Sequence, residues 1–270
     1  MAPKVALITG STDGVGRLVA KRLGAARTRV LVHGRNQKRG EAIIAEIKAT
    51  GGRAEFLAAD LASLAEVRRL ADMVRQTADR LDLLINNAGI GSAGSGGTRR
   101  TSADGYELRF AVNYLAGFLL TDLLLPLIRQ SAPARIVNVS SLGQQPIDFS
   151  DVMLTRGYSG SRAYCQSKLA QVLFTIDLAA ELAGSGVTVN ALHPATYMDT
   201  TMVRQSGVTP ISSVEEGADA ILKLATAPEL DGRSGLFFNG QHEARANAQA
   251  YDSAARRRLN ALSRELIALR

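Results

Sequence analysis

Tyr164 and Lys168 stand four residues apart in AYCQSKLAQVLFTIDLAAEL, residues 163–182. On a helix the two share one face. A free phenol has a pKa of about 10, too high for a base at neutral pH, and a neighbouring ammonium favours its ionised form. The spacing therefore suits a phenol held so that it can move a proton. The same pair also reads as a half-buried Tyr with a snorkelling Lys. A proton-moving role requires a ligand site and further polar groups converging on one point. Cys165, next to the Tyr, points about 100° around the helix and reads as packing.

A second chemical signal is Thr9-Gly10-Ser11-Thr12-Asp13-Gly14-Val15-Gly16, which joins an apolar run to a helical pattern. Glycines at a strand-to-helix turn let backbone N–H groups approach a pyrophosphate at the positive end of the helix. The spacing G-x-x-x-G-x-G departs from the commoner G-x-G-x-x-G, and a plain glycine-rich turn is the competing reading. Gly34, Arg35 and Asn36 follow the second apolar run. An NAD site usually carries Asp or Glu there for the ribose 2′-hydroxyl. Gly34 leaves room and Arg35 can meet a 2′-phosphate, so NADP(H) is the expected cofactor and NAD(H) the alternative, unless Arg35 is only a solvated turn residue. Asp60, with Leu61 beside it, ends the third run. It could accept from an adenine amine or cap the helix that starts near Ser63.

The elements that must position these residues are legible in the hydrophobic pattern. Short apolar runs recur at 4–9, 29–34, 54–60, 81–87, 135–141, 187–193 and 235–240. Most are continuous, as in parallel strands covered on both faces. Helical patterns such as LAEVRRLADMVRQTA and SVEEGADAILKLAT lie between them. The pattern predicts an α/β fold of Rossmann type, with a doubly wound, seven-stranded parallel sheet flanked by helices and a single domain over 1–270. Irregular stretches at 91–105, 143–161 and 195–213 are expected to form the substrate pocket. Their Ile147, Phe149, Met153, Tyr158, Tyr197, Met198 and Met202 suggest a fairly apolar ligand. The C-terminal pattern predicts an amphipathic helix with Leu259, Leu262, Leu266 and Leu269 on its stripe, packed on this domain or a partner subunit.

The 270 residues carry a net charge of +7 with a pI near 9.8. The charge is dispersed, Trp is absent and aromatics make up 5%, which argues against nucleic-acid binding. One cysteine excludes an internal disulfide, and three histidines with that one cysteine leave no expected metal site. No basic-then-apolar leader opens the chain. The run FLLTDLLLPLI, 118–128, is broken by polar residues and Pro126 and is too short to span a bilayer. A cytoplasmic protein without an integral membrane segment is expected.

TGSTDGVG, NNAG at 86–89, Asn113 in AVNYLAG, Ser141 in IVNVSS, YCQSK, and Pro194 after VTVNALH resemble the short-chain dehydrogenase/reductase family in content and order. The resemblance covers about residues 4–240. It extends to the branch that contains retinol dehydrogenases and related bacterial enzymes, which also has a long Ser-to-Tyr spacing, here 164 − 141 = 23. It implies an NAD(P)-dependent oxidoreductase that interconverts an alcohol and a ketone or aldehyde. Tyr164 would be the general acid/base and Ser141 would orient the substrate oxygen. Lys168 would bind the nicotinamide ribose hydroxyls and lower the Tyr164 pKa. Asn113 would hold a proton-relay water, Asn87, Ala88 and Gly89 would line the adenosine and ribose side, and Pro194 and Thr196 would lie by the nicotinamide amide. Ala195 stands where the family often has Gly, and the following Thr is displaced to Thr200. Asp13 replaces a basic residue that some NADP-binding members carry. The resemblance also implies a homodimer or homotetramer paired through the helices holding Asn113 and Tyr164. A non-catalytic NADP(H)-sensing protein on the same fold is the alternative.

Overall fold

The computed structural model describes residues 3–92 and 98–268. Residues 93–97 of the glycine-rich loop and Leu269 of the predicted C-terminal stripe lie outside the described residues. The strands are β1 (Val5–Ile8), β2 (Arg29–Gly34), β3 (Arg53–Ala58), β4 (Leu83–Asn86), β5 (Ala134–Val139), β6 (Val187–His193), β7 (Phe237–Asn239) and β8 (His242–Ala244). The helices are α1 (Gly14–Ala25), α2 (Gln37–Ala49), α3 (Leu64–Thr77), α4 (Ala116–Gln130), α5 (Gly160–Glu181), α6 (Thr201–Gln205), α7 (Val214–Thr226) and α8 (Ser253–Ala268). A wide π-helical segment, Phe110–Leu115, leads into α4.

All the strands belong to one sheet in the order β3-β2-β1-β4-β5-β6-β7-β8. β1 to β7 are parallel, as the continuous apolar runs predict. The expected count of seven is one short: β8 pairs antiparallel with β7, Asn239 opposite His242. The physical reason is a two-residue turn, Gly240-Gln241, with Gly240 at φ +57°. Gly at the first place of a two-residue loop between short runs is a hairpin signal. The strand order reverses between β1 and β4, which opens a crevice at their carboxyl ends.

Two apolar layers cover the sheet. Val19, Leu23, Ile43, Ile47, Ile221 and Leu224 of α1, α2 and α7 pack on one face. Residues of α3, the π segment, α4, α5 and α8 pack on the other. Helix α5 is buried on most sides between the sheet, the π segment and α8, and its buried residues include the polar Gln166, Ser167, Lys168, Gln171 and Thr175. The run at 118–128 is not cut at Pro126. It belongs to one continuous helical stretch, Phe110–Gln130, which is long and apolar enough to cross a membrane and is mostly buried inside this fold.

Helix α8 docks on α5 with Leu259 of the predicted stripe buried and Leu266 packed against the core, and with the centre of the buried face shifted by about one residue. Ala255, Leu259, Ser263 and Ile267 are buried, whereas Leu262 and Leu266 are only partly covered. A polar residue, Ser263, sits in the buried stripe because the Tyr114 hydroxyl meets its Oγ at 2.7 Å. Arg264 lies 5.9 Å from the Phe118 ring centroid, and Asn260 donates to Asp177. The chain's own C-terminal helix thus covers part of the α4–α5 face. Leu259→Ala should cost about 2–4 kcal/mol in urea denaturation, the usual scale for a buried Leu. Leu262→Ala should cost less than about 1 kcal/mol; equal losses would mean that α8 sits on another face.

Candidate active site

The predicted chemical residues converge at the carboxyl ends of the central strands. Ser141 follows β5, and Tyr164 and Lys168 project from α5. Both neighbouring serines follow β5, but their hydroxyls are used differently. Ser140 Oγ donates to the Lys168 backbone carbonyl at 2.7 Å. Ser141 Oγ accepts from the Gly143 N–H at 3.0 Å and lies beside the Tyr164 phenol, whose ionised form it favours. Successive strand residues face opposite sides, so only Ser141 shares a space with the phenol. The Cys165 sulfur reaches the same rim. A Cβ on Gly143 would stand 3.4 Å from Ser141 Oγ, 3.6 Å from Cys165 Sγ and 3.6 Å from Tyr164 Cε1. Cys165 is therefore a wall of this space as well as packing, since local loop geometry brings Gly143 over it.

Lys168 Nζ lies 5.8 Å from the Tyr164 ring centroid. It donates to the Val139 carbonyl at 2.9 Å and to Gln171 Oε1 at 3.0 Å. Burial drives its pKa down to about 7. Burial also pushes the Tyr164 phenol up, and Ser141 beside it opposes that. The lowering of the phenol expected from Lys168 is thus not seen in the protein alone, where desolvation raises it and Lys168 is not among the groups that shift it.

Asn113 sits in the π segment, a deformation frequent at functional sites. Its amide pairs with both backbone groups of Ile90, at 2.8 and 3.1 Å, and donates to Ser167 Oγ at 3.0 Å. Ser167 in turn donates to the Tyr164 carbonyl. A Cβ on Gly89 would stand 3.3 Å from Asn113 Oδ1 and 3.4 Å from Lys168 Nζ, so these groups border one point.

The glycine loop forms a cradle between β1 and α1. Gly10 has φ +65°, and a Cβ there would stand 2.9 Å from the Ala88 Cα. Asn87 does not project freely: its Nδ2 donates to the Thr9 and Gly10 carbonyls. Thr9 Oγ1 accepts from the N–H groups of Asn87 and Ala88. Ser11 is wholly buried, with its hydroxyl on the Ile8 carbonyl. Asp13 caps α1 and meets Arg39 at 3.2 Å. Val15 and Gly16 are buried at the start of α1, where amides have no helical partner. An amide-rich, close-approach cradle of this kind fits a pyrophosphate.

Beside the cradle, Arg35 and Arg39 are both largely exposed. Arg35 Nη1 lies 3.8 Å from Asp60. Asn36 caps α2 by accepting from the Arg39 N–H. Asp60 accepts from the Ala62 N–H, while Ser63 caps α3, so Asp60 is not that helix's cap. Leu61 is buried next to it. Gly34 makes room for Thr12, since a Cβ there would come within 2.7 Å of the Thr12 side chain.

Pro194 and Thr196 follow β6. His193 Nε2 and Thr196 Oγ1 are 3.0 Å apart. Thr200 caps α6, and its methyl carbon would lie 3.3 Å from a Cβ on Gly14. Several residues expected in the pocket instead seal loops: Ile147 is buried, and Phe149 and Met153 pack against the core. Tyr158 bonds Glu107 and Arg109. Met198 packs with α7, whereas Tyr197 and Met202 stay exposed. No cluster of three or more metal-ligating side chains occurs among the described residues.

Sequence reasoning missed Arg39, Gln171 and His33. For Gln171 and His33, a polar residue inside an apolar helix or strand was the available signal. His33 Nδ1 accepts from the Gly10 N–H at 3.1 Å, which fixes the tautomer whose Nε2 donates to the Ala59 carbonyl at 3.2 Å. Burial holds its pKa at about 4 against an ordinary 6.5. The unfolded chain therefore takes up a proton between pH 6.5 and 4 while the folded chain does not, and stability falls with pH over that window by up to about 3 kcal/mol. His33→Asn should flatten this part of the stability–pH curve; an unchanged slope would remove His33 as its source.

A model of the short chain dehydrogenase family matches residues 4–210. Retinol dehydrogenase 13 of Homo sapiens is 37% identical over 286 residues, covering 98% of this chain and 85% of that protein. The Pseudomonas aeruginosa RhlG/NADP active-site complex superposes with a TM-score of 0.72 at 29% identity, over 88% of this chain and 95% of that one. A short chain dehydrogenase from Burkholderia cenocepacia J2315 in complex with NADP gives 0.71 at 28%, over 88% and 97%.

Proposed function

The chain belongs to the short-chain dehydrogenase family, and on that premise we propose that it is an NADP-preferring oxidoreductase interconverting an alcohol with a ketone or aldehyde. The observation that carries this reading is the convergence of Ser141 Oγ and the Tyr164 ring on one space beside Gly143, with the buried Lys168 ammonium 5.8 Å from the phenol ring. Nicotinamide supplies the hydride when the cofactor is bound. Ser141 donates a hydrogen bond to the carbonyl oxygen, and Tyr164 gives that oxygen its proton as the negative charge develops there. In the oxidative direction the phenolate takes the proton back. Lys168 and Asn113 border the point next to Gly89 where a ribose hydroxyl or water can complete the relay. Gly10, Gly14 and Gly16 with the first amides of α1 hold the pyrophosphate. Asp60 and Leu61 flank the adenine, and Pro194 and Thr196 flank the nicotinamide amide.

Leu142, Tyr197 and Ile211 are exposed on the loops beyond β5 and β6, and Met202 on α6, which supports a fairly apolar small-molecule substrate. Cytoplasmic placement belongs to the same reading. So does assembly as a homodimer or homotetramer, and a pairing through α4 and α5 has only the part of that face which α8 leaves open.

Tyr164→Phe should bind NADPH within a few-fold of wild type and lose roughly 10²-fold or more in kcat. A variant that turns over a good carbonyl substrate at near the wild-type rate would sink the assignment. A wild type that binds NADPH and turns over no carbonyl or alcohol would favour the sensor alternative.

Cofactor choice rests on Arg35, joined by Arg39. Both guanidiniums are mostly solvated, with side-chain exposures of 72% and 58%, so their charge-assisted bonds to a 2′-phosphate are partly screened. Arg35→Ala should weaken NADPH binding about 10-fold and leave NADH within about two-fold. Equal weakening of both in paired titrations would make Arg35 a surface charge only. The preference cannot be reversed simply by placing Asp at Gly34, because Thr12 fills that space.

A further inference from the structure

Lys168 has three N–H donors, and the fold fixes two of them. One goes to the Val139 carbonyl at 2.9 Å and the other to Gln171 Oε1 at 3.0 Å. Gln171 lies nearly one turn further along α5 and is 4% exposed. We propose that Gln171 is a positioning residue for the reaction: its side-chain carbonyl, together with that of Val139, keeps the Lys168 ammonium charged and fixed beside Tyr164. The inference rests on the oxidoreductase reading above.

A buried ammonium needs compensation, because desolvation favours the neutral amine. Burial alone takes Lys168 to about 7, where a modest further loss would leave it uncharged at neutral pH. The groups around it offer little negative charge. Tyr164 faces it from its own helix, with a phenol that burial holds protonated. His193 faces it from β6, and burial followed by the charge of Lys168 lowers that imidazole to about 4, so it stays neutral. The Val139 carbonyl comes from β5, and the neutral amide of Asn113 from the π segment. No carboxylate among the described residues shifts Lys168. The compensation therefore comes from two carbonyl dipoles. Val139 belongs to the sheet and cannot adjust, so Gln171 is the side chain that decides how well the charge is held.

Its position is over-determined. The Gln171 backbone carbonyl accepts from Thr175 Oγ1 at 2.8 Å, and that hydroxyl accepts from Asn138 Nδ2 at 2.8 Å. Asn138 Oδ1 accepts from Asn86 Nδ2 at 2.9 Å. This buried polar run ties the second half of α5 to β5 and β4, so Gln171 Oε1 is presented to Nζ from a fixed backbone.

The test is a titration of the full chain without cofactor, labelled with ¹³C at lysine Cε and followed by NMR, with Lys168→Met identifying the signal. Gln171→Met, similar in volume, should move the Lys168 midpoint down by about one to two pH units, the scale of a hydrogen bond to a charged group. Gln171→Glu should move it up. In kinetics, Gln171→Met should lower kcat about 10-fold or more at neutral pH with a few-fold change or less in KM for the carbonyl substrate, and the pH midpoint of turnover should shift from that of wild type. A merely structural Gln171 would lower stability and leave the Lys168 midpoint in place. Midpoints identical in wild type and in both variants would overturn the proposal. If Gln171→Met fails to fold, Gln171→Glu decides alone: an upward shift supports the proposal and an unchanged midpoint overturns it. A wild type without any turnover would overturn the oxidoreductase reading, whereas the Gln171–Lys168 coupling is read in the protein alone.

Discussion

A lysine ammonium 5% exposed at the end of a parallel sheet is the constraint around which the site is organised. Its charge survives burial only where fixed acceptors meet it. Val139 supplies one from the strand, and Gln171 supplies the other from the helix that carries Lys168. Ser140 then pins the Lys168 backbone to the end of β5, and that leaves the adjacent Ser141 facing Tyr164. One buried charge thereby sets the register between β5 and α5, and the register sets which serine meets the phenol.

The cofactor cradle obeys the same logic of shared polar groups. Thr9, Gly10, His33, Asn87 and Ala88 come from three different strand ends and bond one another. A glycine loop with φ +65° at Gly10 has little preference of its own for one shape. The neutral imidazole of His33 and the amide of Asn87 supply that preference. The loop backbone is thus held by side chains whose own polar atoms are already occupied, which preorganises the loop.

Helix α8 extends the argument to the outside of the domain. The Tyr114 hydroxyl is buried one residue after Asn113 and needs a partner, which Ser263 provides from α8. Burial pushes that phenol far above its ordinary value, so it stays protonated as a structural group. The C-terminal segment is also tied to the loop over the site, since Gln249 pairs with both backbone groups of Ile147.

The sequence by itself determined the alternation of strands and helices and the glycine turn, because period and local spacing are properties of neighbouring residues; the set Asn113, Ser141, Tyr164 and Lys168 was legible only through the order of motifs that resembles the family. The β7–β8 hairpin carries a local signal as well, Gly240 at the first place of its two-residue turn. Tertiary structure alone decided which groups the polar side chains meet. Gln171 and His33 looked like isolated polar residues in apolar elements until the fold brought Lys168 Nζ and the Gly10 N–H to them. Arg39 comes within reach of Asp13 only through the packing of α2 beside α1. Which stripe of α8 is buried depended on a hydroxyl on another helix, and a polar Ser263 inside an apolar stripe carries no periodic signal. Hydrogen bonds between residues distant in sequence are fixed by the packing of whole elements, and no window of sequence contains that information.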